Sequence, residues 1–211
     1  MLFVIPDIGG YTRFMLHHKK EPEQAQAVIR SLMEAMLHAK EIPLRVSSIE
    51  GDALFLYAIR ESDELWEQEK ATVAATIENF FVAFYAEIQR LMKTEMCGCN
   101  VCGDIESLKI KIVVHTGHGV LDRLDRFTTI NGVDVIIAHR LLKNSLSGSY
   151  LLVTKAAFDA CRFPRPERFV PHQETYQGEP RFKWLVAVID RKDGKVKPWF
   201  MPHTIAKMIR D

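Results

Sequence analysis

The chain has 211 residues, of which 47% are apolar and 26% charged, with a net charge of +1. That length holds one domain with a full hydrophobic core, or one domain with an appendage. The balanced charge, without a long basic or acidic run, argues against a nucleic-acid or membrane-surface partner. No apolar run reaches the about 18 residues that a membrane span needs.

The opening MLFVIPD lacks a basic flank and is too short for a signal peptide, so a cytoplasmic protein is expected. Residues 2–5 predict a short buried strand, followed by Asp7 and the Gly9-Gly10 pair. Residues 11–18 predict a short helix. Pro22 opens a second helix, in which Ala25, Val28, Ile29, Leu32, Met33 and Met36 share one face, and Pro43 lies beyond its end. His17, His18 and His38 fall on these helices and read as surface histidines.

Residues 44–49 and 53–58 are strand-like and flank Glu50-Gly51-Asp52, which predicts a hairpin with Asp52 at its turn. Ser62, Asp63 and Glu64 then cap a long helix with Trp66, Val73, Ile77, Phe80, Phe81, Phe84, Ile88 and Leu91 at helical spacing. That aromatic stripe reads as core packing against a sheet. Residues 95–107 read as a polar loop. Residues 108–115 predict a strand in which Lys109 and Lys111 alternate with Ile110 and Ile112, broken by Thr116-Gly117-His118-Gly119. His115, at its end, reads as a hydrogen-bonded core histidine, and His139 as solvent-facing.

A further strand or arm is expected at 127–130, a helix at 133–143, a strand at 150–153 and a short helix capped by Thr154. Pro164, Pro166 and Pro171 mark a loop. Strands near 169–176 and 182–189 enclose a Gly-Glu-Pro turn, and a tail with a short helix begins at Arg191. The expected division is a domain over 1–190 and a tail over 191–211.

This order predicts an α/β (α+β) fold: a ferredoxin-like βαββαβ core with added C-terminal strands. Such a sheet places the first strand beside the hairpin. Asp7 and Asp52, 45 residues apart, can then meet at one edge. A carboxylate at a strand end followed by Gly-Gly can bind a divalent cation, or present helix-start N–H groups to a phosphate; it can also be simply a turn. Two aspartates meeting beside such a turn suggest two-metal phosphoryl-transfer chemistry. Cys97, Cys99 and Cys102 form a C-x-C-x-x-C run. In a reducing compartment this run suggests zinc, the fourth ligand coming from Cys161, a histidine or another subunit; the alternative is a loop that merely contains thiols.

Six segments in order resemble the class III adenylyl and guanylyl cyclases. PDIGGYTRF is similar to their first metal motif, and EGDALFLY to their Gly-Asp hairpin. KIKIVVHTGHGVL is similar to their R-I-G-I-H-T-G strand, and GVDVIIAHRLL to their V-N-x-A-x-R-[LM] helix. GSYLLVTKAAFDAC and QGEPRFKWLVAVID resemble the strand-helix and hairpin that follow.

The resemblance implies that Asp7 and Asp52 bind Mg²⁺ or Mn²⁺. It implies that the N–H groups of Ile8, Gly9, Gly10, Tyr11 and Thr12 cradle the phosphates of a nucleoside triphosphate or other phosphate ligand. Arg140 would stabilise charge on the transferring phosphate. It further implies a head-to-tail homodimer, with the aspartates from one chain and the arginine from the other. Three positions depart from the pattern. The base-reading positions fall on Ser48 and Thr129, and the ribose-orienting Asn on Ile136. The departures point to a divergent nucleotide-binding domain rather than an ordinary ATP or GTP cyclase, or else to a non-catalytic dimeric regulatory or zinc-stabilised module.

Overall fold

The computed structural model describes residues 1–94, 100–125, 127–164, 166–174, 182–189, 191–192 and 195–196. A seven-stranded sheet in the order β2-β3-β1-β4-β7-β9-β8 organises the chain. Strand β1 (Leu2–Gly9) leads to helices α1 (Tyr11–His17) and α2 (Pro22–His38), then to the hairpin β2 (Arg45–Glu50) and β3 (Ala53–Ala58). Helix α3 (Asp63–Thr94) and strand β4 (Lys109–Thr116) complete the ferredoxin-like core. Strand β1 runs antiparallel to both β3 and β4, as that topology requires.

Strands β5 (Val120–Leu124) and β6 (Phe127–Asn131) form a separate hairpin before α5 (Val133–Leu141). Strand β7 (Ser149–Thr154) pairs parallel to β4. Helix α6 (Lys155–Ala160) and the antiparallel pair β8 (Val170–Glu174) and β9 (Phe182–Ile189) follow. Two short strands, β10 (Arg191–Lys192) and β11 (Lys195–Val196), pair beyond them. The expected Gly-Glu-Pro turn and the helix of the tail lie outside the described residues.

Alternation along the strands divides the core. Leu2, Val4, Ile8, Leu54, Leu56, Ile110, Ile112 and Val114 face the layer formed by α1, α2 and α3. Residues Phe3, Ile5, Ala53, Phe55, Tyr57, Val113, Tyr150 and Leu152 face the other way, where α5 covers them with Val135, Ala138 and Leu141. Helix α3 contributes the expected stripe: Phe80, Phe81, Phe84 and Ile88 are fully buried. Length and composition alone would let α3 cross a membrane, although no unbroken apolar run marks it, but 56% of its apolar window is buried within this fold.

Several elements differ from expectation, among them the pair β10 and β11 where only a tail was expected. Strand β1 extends to Gly9, so Asp7 lies within the ladder and not past its end. The stretch read as a polar loop contains α4 (Asn100–Asp104) and a 3-10 turn at Ile105–Ser107, because Val101 and Ile105 are buried in the core. Strand β5 was not foreseen; its sequence VLDRL has a charged centre and exposed Val120 and Leu121, so it carries little apolar alternation to read.

Candidate functional site

The register of the central strands builds the site. Asp7 faces Ala53 of β3 on one side and Lys111 of β4 on the other. Asp52 directly precedes Ala53, and its carbonyl accepts the Ile8 N–H at 3.1 Å. The two aspartates therefore meet at the same end of the β1–β3 pair. Asp7 shares a face with Phe3 and Ile5, the face on which α5 lies.

Lys111 Nζ stands 3.4 Å from Asp7 Oδ2, with side-chain exposures of 28% and 16%. Its stem crosses Gly9 so closely that a Cβ there would come within 2.8 Å of Lys111 Cε. Gly10 follows at φ 92° and starts α1 without a side-chain cap. The left-handed conformation favours glycine, and the missing cap leaves first-turn N–H groups of α1 without a side-chain acceptor.

The electrostatics follow from two partly buried acids sharing one lysine. Burial raises the pKa of Asp7, and the charge and hydrogen bond of Lys111 oppose the rise. Asp52 is pushed up to about 6, first by burial and then by the charge of Asp7, against its own backbone hydrogen bond and Lys111. Ionised, the pair exceeds its lysine by one negative charge. That surplus and the hard carboxylate oxygens fit a divalent cation of the Mg²⁺ or Mn²⁺ type. Lys111 was read from sequence only as a residue alternating with Ile110 and Ile112. Its role becomes visible once β1 pairs with β4, which no local pattern encodes.

The expected phosphate cradle is shorter at its start than anticipated. The Ile8 N–H is already committed to Asp52, so the stretch with a possible anion role begins no earlier than Gly9.

Arg140 lies on α5 and lines a shallow recess of about 230 Å³ with Val135, Ile136, His139 and Lys143. Ile136, which replaces the amide of the family pattern, is 54% exposed. His139 is not simply solvent-facing. Its Nδ1 is 3.5 Å from Glu50 Oε2, and its ring lies 4.9 Å from that of Phe55, joining α5 to the hairpin that carries Asp52. Ser48 donates to Glu50 Oε1 at 2.9 Å, and Thr129 accepts from Asn131 at 3.3 Å. His115 is buried between Thr154 Oγ1, at 3.1 Å, and Asp134 Oδ1, at 3.3 Å. Cys97 and Cys99 lie outside the described residues, as does the side chain of Cys102 on α4. Cys161 is buried and unpaired in a disulfide, and burial pushes its thiol up to about 12.

Comparison with known proteins agrees with this architecture. The model of a family described as protein of unknown function (DUF2652) matches residues 29–150. The uncharacterized protein Rv2561/Rv2562 of Mycobacterium tuberculosis is 29% identical over 124 residues, which are 58% of this chain and 55% of that protein. The chain thus spans about half the length of this curated relative. The adenylyl cyclase CyaB of P. aeruginosa superposes with a TM-score of 0.66 at 15% identity, over 92% of this chain and 95% of that one. The guanylyl cyclase Cya2 superposes with a TM-score of 0.62 at 17% identity, over 88% and 90%. Identities this low establish the fold alone. The chain belongs to the DUF2652 family, and its fold is that of the class III adenylyl and guanylyl cyclases.

Proposed function

We propose that this domain binds a nucleoside triphosphate, or another ligand bearing phosphates, through a divalent cation held by Asp7 and Asp52. The observation that carries this reading is the meeting of the two aspartates and Lys111 beside the uncapped start of α1. A bound divalent cation would neutralise phosphate oxygens and make a nearby hydroxyl more acidic. Asp7 and Asp52 would hold it, Lys111 would balance the remaining charge, and the N–H groups from Gly9 to Thr12 would receive phosphate oxygens. Arg140 would stabilise charge on the phosphate from the partner chain of a head-to-tail homodimer. Exposed Val120 and Leu121 on β5 and Val133 and Ile136 on α5 offer apolar surface for a second copy. In this reading the functional domain spans residues 1–190 and 191–211 form a tail.

A second reading, a non-catalytic dimeric module, is favoured by Ile136. An alkyl group in the recess beside Arg140 cannot orient a ribose as an amide does. Incubation with each of the four nucleoside triphosphates and Mn²⁺ tests both readings. Cyclic product and pyrophosphate mean a cyclase. Binding of a non-hydrolysable triphosphate without turnover means a nucleotide-responsive module. Neither binding nor turnover removes the nucleotide reading altogether.

A further inference from the structure

At the far end of α1 from the Gly-Gly turn, three potential ligands converge from segments 86 residues apart. His17 ends the helix, His18 follows as its C-cap, and Asp104 closes α4. One ligand atom from each lies within 4.8 Å of the others. Asp104 Oδ2 is 3.4 Å from His17 Nε2 and 3.2 Å from His18 Nε2. The two imidazole rings stand perpendicular, with centroids 4.9 Å apart.

His18 separates this cluster from an ordinary surface ion pair. Its side chain is 2% exposed, and its ring meets that of Phe14 edge-on at 4.8 Å. Its Nε2 is buried, yet it makes no hydrogen bond, although Asp104 is near. A buried ring nitrogen without a hydrogen-bond partner is costly, so native structures rarely leave one without a role. Here the nitrogen sits beside a second imidazole and a carboxylate, the donor types that bind zinc.

The spacing agrees with that chemistry. A tetrahedral zinc with bonds of about 2.0–2.1 Å keeps its ligand atoms about 3.3–3.4 Å apart. The two contacts to Asp104, 3.2 and 3.4 Å, lie close to that separation.

We propose that His17, His18 and Asp104 form a zinc site with a fourth position open to water. The site is distinct from the Asp7–Asp52 pair, which offers only hard oxygens. Zinc here would tie the end of α1 to the segment that leads into β4. It does not require the cysteine run, although Cys102 lies two residues before Asp104 in the sequence.

The test uses the full chain, stripped with a chelator and titrated with Zn²⁺ against a chromophoric competitor, then with Co²⁺ followed by visible absorption. His17→Ala and Asp104→Asn change exposed groups, whose side chains are 67% and 47% accessible, so folding is expected to survive and is checked by circular dichroism. Each variant should weaken zinc binding by at least about tenfold and reduce the tetrahedral Co²⁺ bands. Saturating zinc should raise the Tm of the wild type but not of Asp104→Asn. Asp52→Ala should leave zinc affinity unchanged, which separates this site from the nucleotide reading. The proposal is overturned if the wild type binds no zinc at micromolar concentration. It is equally overturned if both variants keep wild-type affinity, as they would were the cysteines the ligands.

Discussion

Lys111 Nζ lies 3.4 Å from Asp7 Oδ2, directly across the β1–β4 ladder from the carboxylate it neutralises. Two acids converge on this one lysine, and Asp52 is pushed up to about 6, first by burial and then by the charge of Asp7. The site thus combines a resident cation with an unmet demand for another. Each property can be measured separately.

Lys111→Met should remove the cation from a mostly buried Asp7. At pH 7 the variant should lose about 1–2 kcal/mol of stability, after allowance for solvent screening. The deficit should shrink as pH falls, because burial raises the Asp7 pKa and the variant has no lysine to oppose that rise. Urea unfolding at pH 7.5 and pH 5 checks this. An equal deficit at both values would mean that Lys111 stabilises by packing and not by charge.

Asp52 should make the protein less stable as pH rises. Its folded pKa of about 6 lies above the ordinary 3.8, so the folded state holds the proton more tightly than the unfolded state. The resulting stability is fully present below pH 4 and is lost as pH rises through 6. Asp52→Asn should abolish that slope and be about 1–2 kcal/mol more stable than the wild type at pH 7. A thermal-unfolding series from pH 4 to 7.5 reads the difference. A less stable Asn variant at pH 7 would contradict the raised pKa that burial and the charge of Asp7 give Asp52.

Binding of Mn²⁺ should compete with that proton. Affinity should fall by up to about tenfold per pH unit below pH 6, and binding at lower pH should release a proton to the buffer. Isothermal titration in two buffers of different ionisation enthalpy measures the release. Asp52→Ala should abolish binding with an unchanged circular dichroism spectrum. Affinity independent of pH between 5 and 7 would place the ion elsewhere.

Arg140→Ala alters an exposed side chain and should change stability by less than about 0.5 kcal/mol. It should nevertheless weaken binding of a non-hydrolysable nucleoside triphosphate, as should Asp52→Ala. If the two residues meet across a dimer, refolding the two variants together should restore about a quarter of the wild-type sites. Half of the dimers formed are then mixed, and each mixed dimer has one intact site. No recovery on mixing would place Arg140 in the same chain's site or in none.

Much of the architecture was legible in the sequence because each signal sits within a short window. Helical spacing in α2 and α3 exposes their buried faces, and Ser62, whose hydroxyl accepts the Leu65 N–H at 3.2 Å, marks where α3 starts. Asp52 was recognisable at its hairpin turn. The misreadings occurred where local patterns are weak. Strand β5 has almost no apolar alternation, and α4 hides two buried anchors, Val101 and Ile105, in a stretch rich in Cys, Gly and Asp. His18 read as a surface residue because nothing nearby in sequence reveals that Phe14 and the neighbouring core enclose it.

The sequence by itself determined the order of elements, the faces they bury and the residue types available for chemistry. Those properties depend on side chains a few positions apart, which the 3.6-residue and two-residue periods make visible. Only the tertiary structure decided which distant groups meet. Strand register puts Lys111 beside Asp7 and commits the Ile8 N–H to Asp52. Packing of α1 against the α4 segment brings His18 to Asp104. Register and helix placement are set by burial summed over the whole core, so no single stretch of the chain encodes them.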